Sequence, residues 1–300
     1  MILGPRPSDQ RIIHAGHEKQ REYWDFALRQ VPIPAKRLQR YNDCGKRAWV
    51  YYSQARERYK VKHESCGLRI CPLCATRYQM RTRKRIAALF YRTPLPRLKF
   101  ITLTLRSIPI PLKDQLSRLK DAFRRLRQRK IWRKVKWGAA VIEMTRNTKT
   151  KQWHPHLHIL ADSTYIPQSE LREAWRSITE DSFVVDIRKV VDRKAVLNEI
   201  AKYASKPTAF SQISDSVGAG TELYEATVGR RLLLLFGQWP DIPEEKPEDD
   251  GLEDDWKAVK PLYEILLLAS QGDSSAQATL QACDIEPNTL KRWKDSLKPP

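Results

Sequence analysis

Long apolar runs are missing from this sequence of 300 residues. An apolar segment such as Leu232–Phe236 is far too short to cross a bilayer, and the residues that follow Met1 are polar and charged, unlike a signal peptide. The sequence also lacks the pattern G-x-x-x-x-G-K-S/T, which excludes a P-loop nucleotide-hydrolysing domain. We therefore expect a cytoplasmic protein with no membrane partner.

Acidic side chains are scarce outside one short segment. Lys and Arg number 55 against 35 Asp and Glu, so the formal net charge is +20. Residues 241–255 hold nine acidic side chains and one Lys (net −8), which leaves +28 on the remainder. A charge of this size attracts polyanions and indicates a nucleic-acid partner. Composition alone does not separate DNA from RNA, or an enzyme from a binding protein.

Cysteine is rare, with five residues, but four of them are clustered. The spacing Cys66-x4-Cys71-x2-Cys74, with Cys44 upstream, supplies the four thiolates of a closed tetrahedral zinc site. His63 is an available substitute for Cys44, and scattered core cysteines are the alternative. The segment that follows would present basic side chains to phosphates, or would be a solvated basic helix without a specific role: Arg77, Arg81, Arg83, Lys84 and Arg85.

The hydrophobic periodicity from residue 100 onward predicts the element order β-α-β-β-α-β-α. Its first six elements match the ferredoxin-like split arrangement, in which helices pack on an antiparallel sheet, so the predicted fold class is α+β. The predicted bounds are strands Phe100–Leu105, Trp137–Arg146, Trp153–Ala161 and Phe183–Val190, and helices Leu112–Arg133, Pro167–Thr179 and Arg193–Lys206.

Shifts in composition predict four regions along the chain. A basic N-terminal region with the cysteine site covers residues 1–95, and the α+β core covers 96–240, including a Gly-rich loop at Val217–Thr221. Residues 241–256 are typical of an acidic linker. Residues 257–300 are expected to form a helical C-terminal segment, either a weak helix-turn-helix match with its second helix at Asn288–Leu297, or a helical tail that packs or self-associates.

The segment WHPHLHIL, residues 153–160, is the most informative stretch. On a strand, His156 and His158 project from the same face with Cα atoms roughly 7 Å apart, so that their ring nitrogens can share one cation. His154 lies on the same face, and the pattern leaves open whether it is a ligand or a phosphate contact. We predict a metal site here.

The register of the predicted hairpin supplies a third ligand. If the turn is centred between Lys149 and Thr150, Glu143 lies opposite His156 and on its face. A shift of one residue would turn Glu143 away. Two imidazoles and one carboxylate leave coordination positions open, which suits Mg²⁺ or Mn²⁺ acting on a phosphodiester.

The helix NEIAKYASKP places three functional groups on one side. Glu199 lies four residues before Tyr203, and Lys206 lies three residues after it. An ordinary amphipathic helix with a solvated ion pair would look the same. Beside a metal site in a basic protein, we interpret Tyr203 as a nucleophile and Lys206 as a group that offsets the charge of the transition state.

These three segments together resemble the successive motifs of HUH endonucleases, in particular the replication initiators of rolling-circle plasmids. The resemblance covers roughly residues 95–240 and rests on FITLTL, HPHLHIL and IAKYASKP. It implies the HUH nuclease fold, His156 and His158 as metal ligands with Glu143 as the third, and Tyr203 as the single catalytic tyrosine. The implied reaction nicks single-stranded or hairpin origin DNA, leaving a 5′-phosphotyrosine and a 3′-OH for a host polymerase, while a host helicase unwinds the duplex.

The sequence departs from two-tyrosine members of this group because Glu199 stands where a second tyrosine would lie. By the resemblance, Glu199 would activate the water of the terminating cleavage. Two alternatives stay open. An HUH transposase or relaxase shares the chemistry, and a zinc-containing nucleic-acid-binding protein would need no catalysis.

Overall fold

A computed structural model describes residues 18–45, 48–205, 210–238, 255–283 and 285. The chain divides into two compact units. The first comprises residues 1–22, 33–73 and 244–300, and the second comprises residues 23–32 and 74–243. None of the helices within these described ranges is both long and apolar enough to cross a membrane.

The described residues form nine α-helices and eight strands, here numbered in chain order. The helices are α1 Glu18–Arg29, α2 Ala35–Asp43, α3 Pro72–Phe90, α4 Leu112–Leu126, α5 Gln168–Thr179, α6 Arg193–Ser205, α7 Val217–Thr227, α8 Leu262–Ser270 and α9 Ser274–Ala282. The strands are β1 Ala48–Ser53, β2 Arg58–His63, β3 Leu98–Thr104, β4 Val135–Arg146, β5 Trp153–Ser163, β6 Val185–Lys189, β7 Leu233–Gly237 and β8 Trp256–Pro261.

The second unit is built on a five-stranded antiparallel sheet of order β6-β3-β5-β4-β7. The first four strands have the order of a ferredoxin-like sheet, with α4 joining β3 to β4 and α5 joining β5 to β6. Strand β7 extends this sheet beyond β4. The predicted α+β class with an antiparallel sheet and packed helices is confirmed.

Alternating side chains divide this sheet into two faces. On one face, Phe100 and Val141 belong to a core that also includes Phe90 from α3 and Ile200 from α6. The sequence forms this core because Leu98, Phe100, Ile101 and Leu103 of β3 are all buried, as expected for a central strand covered on both sides. Helices α3 and α6 therefore pack on the face that carries the histidines.

The turn between β4 and β5 fixes the register of the central hairpin. The Asn147 side chain accepts hydrogen bonds from the backbone N–H groups of Lys149 and Thr150, at 2.8 and 3.0 Å. Lys151 then adopts a left-handed conformation with φ of 60°, and its N–H donates to the Asn147 carbonyl at 2.8 Å. The Asn side chain thus stands in for backbone turn contacts.

The first unit contains a three-stranded antiparallel sheet of order β2-β1-β8. Ala48 and Val50 of β1 pack against Leu262 and Leu266 of α8 and against α9. The predicted C-terminal helical segment is helical at α8 and α9, whereas residues 256–261 form the strand β8 instead. Its proposed second helix at residues 288–297 lies outside the described residues, as does most of the acidic segment 241–256.

Two core elements differ from the sequence prediction. Helix α4 ends at Leu126, and residues 130–134 form a separate 3₁₀ turn rather than the end of one long helix. The predicted Gly-rich loop at Val217–Thr221 was wrong, because these residues begin α7. The Ser216 side chain caps this helix by accepting a hydrogen bond from the Ala219 N–H at 3.3 Å.

Candidate active site

The histidines of β5 share one face of the sheet, as their alternation predicts, and this is the face on which α3 and α6 pack. The rings of His154 and His156 have centroids 4.4 Å apart, and those of His156 and His158 are 6.1 Å apart. His158 is 7 % exposed, and His156 is half-buried. Exposure of this face is greater at His156 and His154 than at His158. The two histidines of the predicted ligand pair therefore lie at the boundary between the core and the surface.

Two threonines of β3 orient the histidine rings. Thr102 is paired with His158 and Thr104 with His156 in the sheet register. The Thr102 hydroxyl lies 3.3 Å from Nδ1 of His158, and the Thr104 hydroxyl lies 3.1 Å from Nδ1 of His156. A partner on Nδ1 fixes the ring orientation and leaves Nε2 for a ligand. These threonines were not predicted from the sequence, although their alternation in FITLTL was a usable signal.

Glu143 occupies the register position that the hairpin predicts, directly opposite His156. Its carboxylate nevertheless reaches diagonally along the face to His158, where Oε2 lies 2.9 Å from Nε2. A carboxylate and an imidazole nitrogen that face each other at this distance can share either a proton or a cation. The register prediction is confirmed.

His156 has a different environment from His158. Its Nε2 lies 3.2 Å from the hydroxyl of Thr145, which donates to the His154 carbonyl at 3.1 Å. Burial, followed by the nearby His154 and His158, lowers the pKa of His156 to about 4. Its imidazole is therefore neutral at physiological pH and keeps a nitrogen lone pair, as a metal ligand requires.

The three predicted ligands do not converge fully in this structure. In the described part of the chain, the only group of three or more ligand atoms within 4.8 Å of one another belongs to the cysteines. Glu143 and His158 are in contact, whereas Nε2 of His156 faces Thr145 instead. The donor set of two imidazoles and a carboxylate suits a divalent cation.

Helix α6 places Tyr203 directly over this group. The Tyr203 ring stacks on the His158 ring with centroids 3.9 Å apart and an interplanar angle of 10°. Burial raises the pKa of Tyr203, and the carboxylates of Glu199 and Glu143 raise it further. The phenol is therefore protonated at neutral pH, so an attack by its oxygen requires removal of the proton.

Glu199 shares one side of α6 with Tyr203, as predicted. The Tyr203 hydroxyl lies 3.4 Å from Oε1 of Glu199, and Oε2 of Glu199 accepts a hydrogen bond from Arg188 at 2.5 Å. The Arg188 guanidinium also lies over the Phe100 ring, 4.6 Å from its centroid. Arg188 on β6 is a further site residue that was not predicted from the sequence. The third predicted residue of this helix, Lys206, lies outside the described residues.

The four clustered cysteines meet as the spacing predicts. Cys44, Cys66, Cys71 and Cys74 are all buried and unoxidised, with ligand atoms within 4.8 Å of one another. The sulfurs of Cys44 and Cys71 are 3.6 Å apart, close to the roughly 3.8 Å that tetrahedral zinc–sulfur bonds of about 2.3 Å impose. His63 is not in the group. These residues could bind zinc.

The helix that follows this cluster displays the predicted basic side chains. Helix α3 begins at Pro72, so Cys74 lies in its first turn. Arg77 is half-buried, and four more basic residues of the helix are exposed: Arg81, Arg83, Lys84 and Arg85.

The chain is similar to a known protein family. The sequence profile of the family described as "Replication protein" matches residues 58–264, which is more than half of the chain. The chain belongs to the replication protein family. This match covers the strands β2 to β8, and thus both the histidines and Tyr203. No solved structure matches the chain significantly.

Curated replication proteins of several bacteria align with the chain. Three of them, each with the name "Protein rep", are 27% identical to this chain. The relative from a Bacillus species aligns over 270 residues, 77% of this chain and 87% of its own length. The one from Bacillus amyloliquefaciens aligns over 264 residues, 75% and 78%. The one from Streptococcus pneumoniae serotype 2 aligns over 199 residues, 59% of this chain and only 62% of its own length. The predicted resemblance to rolling-circle plasmid replication initiators is confirmed.

Proposed function

We propose that this replication protein nicks and rejoins one strand of origin DNA, with Tyr203 as the nucleophile and a 5′-phosphotyrosine as the intermediate. The observation that carries the proposal is the stack of Tyr203 on His158, which is itself in contact with Glu143. A structural tyrosine of an amphipathic helix would not need to lie over a histidine–carboxylate pair. The proposed substrate is single-stranded or hairpin DNA, because the basic chain belongs to a family of replication proteins.

The group of His156, His158 and Glu143 would hold Mg²⁺ or Mn²⁺, which would withdraw charge from the target phosphate. His154 is half-buried beside His156 and would contact a phosphate of the bound strand or supply a further ligand. Thr102 and Thr104 position the rings through their Nδ1 atoms. In this arrangement the chain contributes orientation to the groups that would hold the metal and the phosphate.

The chemical step transfers the phosphoryl group from DNA to protein. The Tyr203 oxygen forms a bond to phosphorus, the bond from phosphorus to the 3′ oxygen breaks, and that oxygen leaves as a 3′-OH. Tyr203 loses one proton as the bond forms, because the raised pKa keeps the phenol protonated beforehand, and the departing 3′ oxygen takes up one proton to become the 3′-OH. The Glu199 carboxylate, 3.4 Å from the hydroxyl, is placed to orient it. Lys206 would offset charge on the phosphate.

The nucleophile can be tested by Tyr203→Phe, which removes only the attacking oxygen and keeps the ring stack. We expect the variant to lose nicking of labelled single-stranded origin DNA and to form no covalent adduct on a denaturing gel, while DNA affinity stays within a few-fold. Tyr165→Phe, at a tyrosine that is 73% exposed and lies outside the three motifs, is the matched control. A covalent adduct on the Tyr203→Phe protein would assign the nucleophile to another tyrosine.

We further propose that Glu199 activates water in the terminating cleavage. Its carboxylate is held beside the Tyr203 hydroxyl by Arg188, so it can serve the same phosphate position with water in place of tyrosine. Glu199→Gln keeps the shape but removes the base. We expect the first nick to remain near normal and the hydrolytic second cleavage to slow by about 10²–10⁴, so that replication products run past one unit length.

Equal loss of both cleavages in Glu199→Gln would contradict this role and would make Glu199 a residue that only orients Tyr203. Arg188→Gln is the companion variant, because it removes the guanidinium that holds the Glu199 carboxylate and leaves the carboxylate itself in place.

Proteins of the host would supply helicase and polymerase activity in this scheme. The exposed side chains of α3 would contact backbone phosphates, and a zinc ion held by the four cysteines would fix the start of that helix.

A further inference from the structure

The two faces of the first unit's sheet differ among the described residues. Strand residues Val50 and Val61 lie on the face that packs on α8 and α9. On the other face, the exposed Trp49 pairs with Lys62 and the half-buried Tyr51 pairs with Lys60 in neighbouring strands. Aromatic rings and lysines thus alternate across this face, which is hereafter called the aromatic face.

Positive charge dominates the three strands of this sheet. Their sequences AWVYYS, RYKVKH and WKAVKP contain five Lys or Arg residues and no Asp or Glu. Three basic side chains lie close to the Trp256 ring. Lys60 and Arg58 of β2 lie 5.4 and 5.6 Å from its centroid, and Arg56, which precedes β2, lies 5.9 Å away. Such contacts hold several cations together despite their mutual repulsion.

Trp49 is the apolar centre of the same face. Its side chain is 40% exposed, although it lies within a strand and is paired on both sides, to Lys62 of β2 and Pro261 of β8. An indole in such a position offers a flat apolar surface to a ligand. The half-buried Tyr51 lies two residues along the same strand, at the spacing that presents successive rings on one face.

We infer that the aromatic face binds single-stranded DNA, with a base stacked on Trp49 and with Lys60 and Lys62 at adjacent phosphates. The combination of stacking rings and cations on an open sheet is the chemistry that recognises unpaired strands. Duplex DNA is excluded as the preferred ligand because its base faces are covered by their neighbours. This binding does not depend on Tyr203 or on a metal at the histidines.

Binding by the full-length protein tests this inference. Every variant carries Tyr203→Phe and is measured in EDTA, so that covalent attachment cannot contribute, and the probe is a fluorescent oligothymidine followed by anisotropy. Trp49→Ala should weaken binding by at least about five-fold, since stacking of one base on an aromatic ring contributes at least that much. Trp49→Phe should stay near the parent, because it keeps a ring. Tyr165→Ala removes an exposed ring elsewhere and should change nothing.

The lysine contact has a separate signature in salt. Lys62→Gln should lower the slope of the logarithm of affinity against the logarithm of salt concentration by about 0.7, the value for one single-strand phosphate contact. Lys257→Gln is the matched control, because Lys257 is exposed in the same sheet but in register with Tyr52, on the other face. Its salt slope should equal that of the parent.

Three outcomes would overturn the inference. One is binding of oligothymidine by Trp49→Ala within two-fold of the parent. Another is an equal loss in Trp49→Ala and Tyr165→Ala, and the third is a loss confined to a duplex probe of the same length. Failure of the nicking proposal would appear instead as a missing covalent adduct in the wild-type protein, and it would leave these binding measurements unchanged.

Discussion

The threonines of β3 allow a sharp test of how the histidines are positioned. Thr102→Val and Thr104→Val each remove one hydroxyl that lies against an Nδ1 atom, at 3.3 and 3.1 Å. Valine has nearly the same shape and the same β-branching, so the strand and its packing should persist. Each substitution removes one hydrogen bond that orients a histidine ring. Such a bond contributes about 0.5–1.5 kcal/mol of net free energy.

That free energy corresponds to a two- to thirteen-fold loss in the population of correctly oriented imidazole. Loss of outer partners of metal-bound histidines commonly lowers metal affinity about 10–100-fold, so we expect about a ten-fold rise in the Mn²⁺ concentration that gives half-maximal nicking. The rate at saturating Mn²⁺ should stay within a few-fold. The double variant should show nearly the product of the two effects, because the threonines act on different rings.

The assay is nicking of labelled single-stranded origin DNA across a titration of Mn²⁺, with thermal unfolding measured in parallel. Thr164→Val, at an exposed threonine just after β5, reports the generic effect of the substitution. If both β3 variants nick with the parental Mn²⁺ dependence, the hydroxyls do not position metal ligands. If activity falls at every Mn²⁺ concentration, the threonines contact DNA instead.

Two further predictions concern stability. Cys71→Ser should abolish the zinc found by elemental analysis and lower the melting temperature by about 5 °C or more. Cys283→Ser, outside the cluster, should change neither. Absence of zinc from protein purified without chelators would refute the cysteine site. In α7, Gly220→Ala should destabilise the fold by about 1–3 kcal/mol, because its new Cβ would lie 2.5 Å from the Tyr23 hydroxyl oxygen. Gly218→Ala in the same helix meets only the Ser216 hydroxyl at 3.7 Å, and it should stabilise by about 0.5–1 kcal/mol; equal effects of the two on chemical unfolding would contradict this reasoning.

The central hairpin was predictable because its determinants are local. Alternation of apolar and polar side chains identifies β4 and β5, and the Asn147 turn sets their register within a few residues. Register then dictates which residues share a face, so the position of Glu143 opposite His156 followed from the sequence. The rotamer of the Glu143 side chain did not follow from the sequence. Its contact with His158 rather than with His156 depends on the surrounding side chains.

Helix α7 shows why other elements were missed. Two glycines near its start favour a loop by intrinsic propensity. In the structure, Gly220 allows the close approach of Tyr23, whose hydroxyl donates to the Ile213 and Ser216 carbonyls at 2.9 and 2.7 Å. Tyr23 is almost two hundred residues away in sequence, so no local pattern could indicate this packing.

Short-range patterns determined the element order of the core, the shared face of the histidines and the side of α6 that carries Glu199 and Tyr203. These follow from the fixed periods of strands and helices, which each segment carries within itself. Only the tertiary structure decided that Tyr203 lies on His158 and that Arg188 holds Glu199. Those contacts join segments that are distant in the chain, and their geometry depends on how α6 packs on the sheet, which sequence periodicity does not specify.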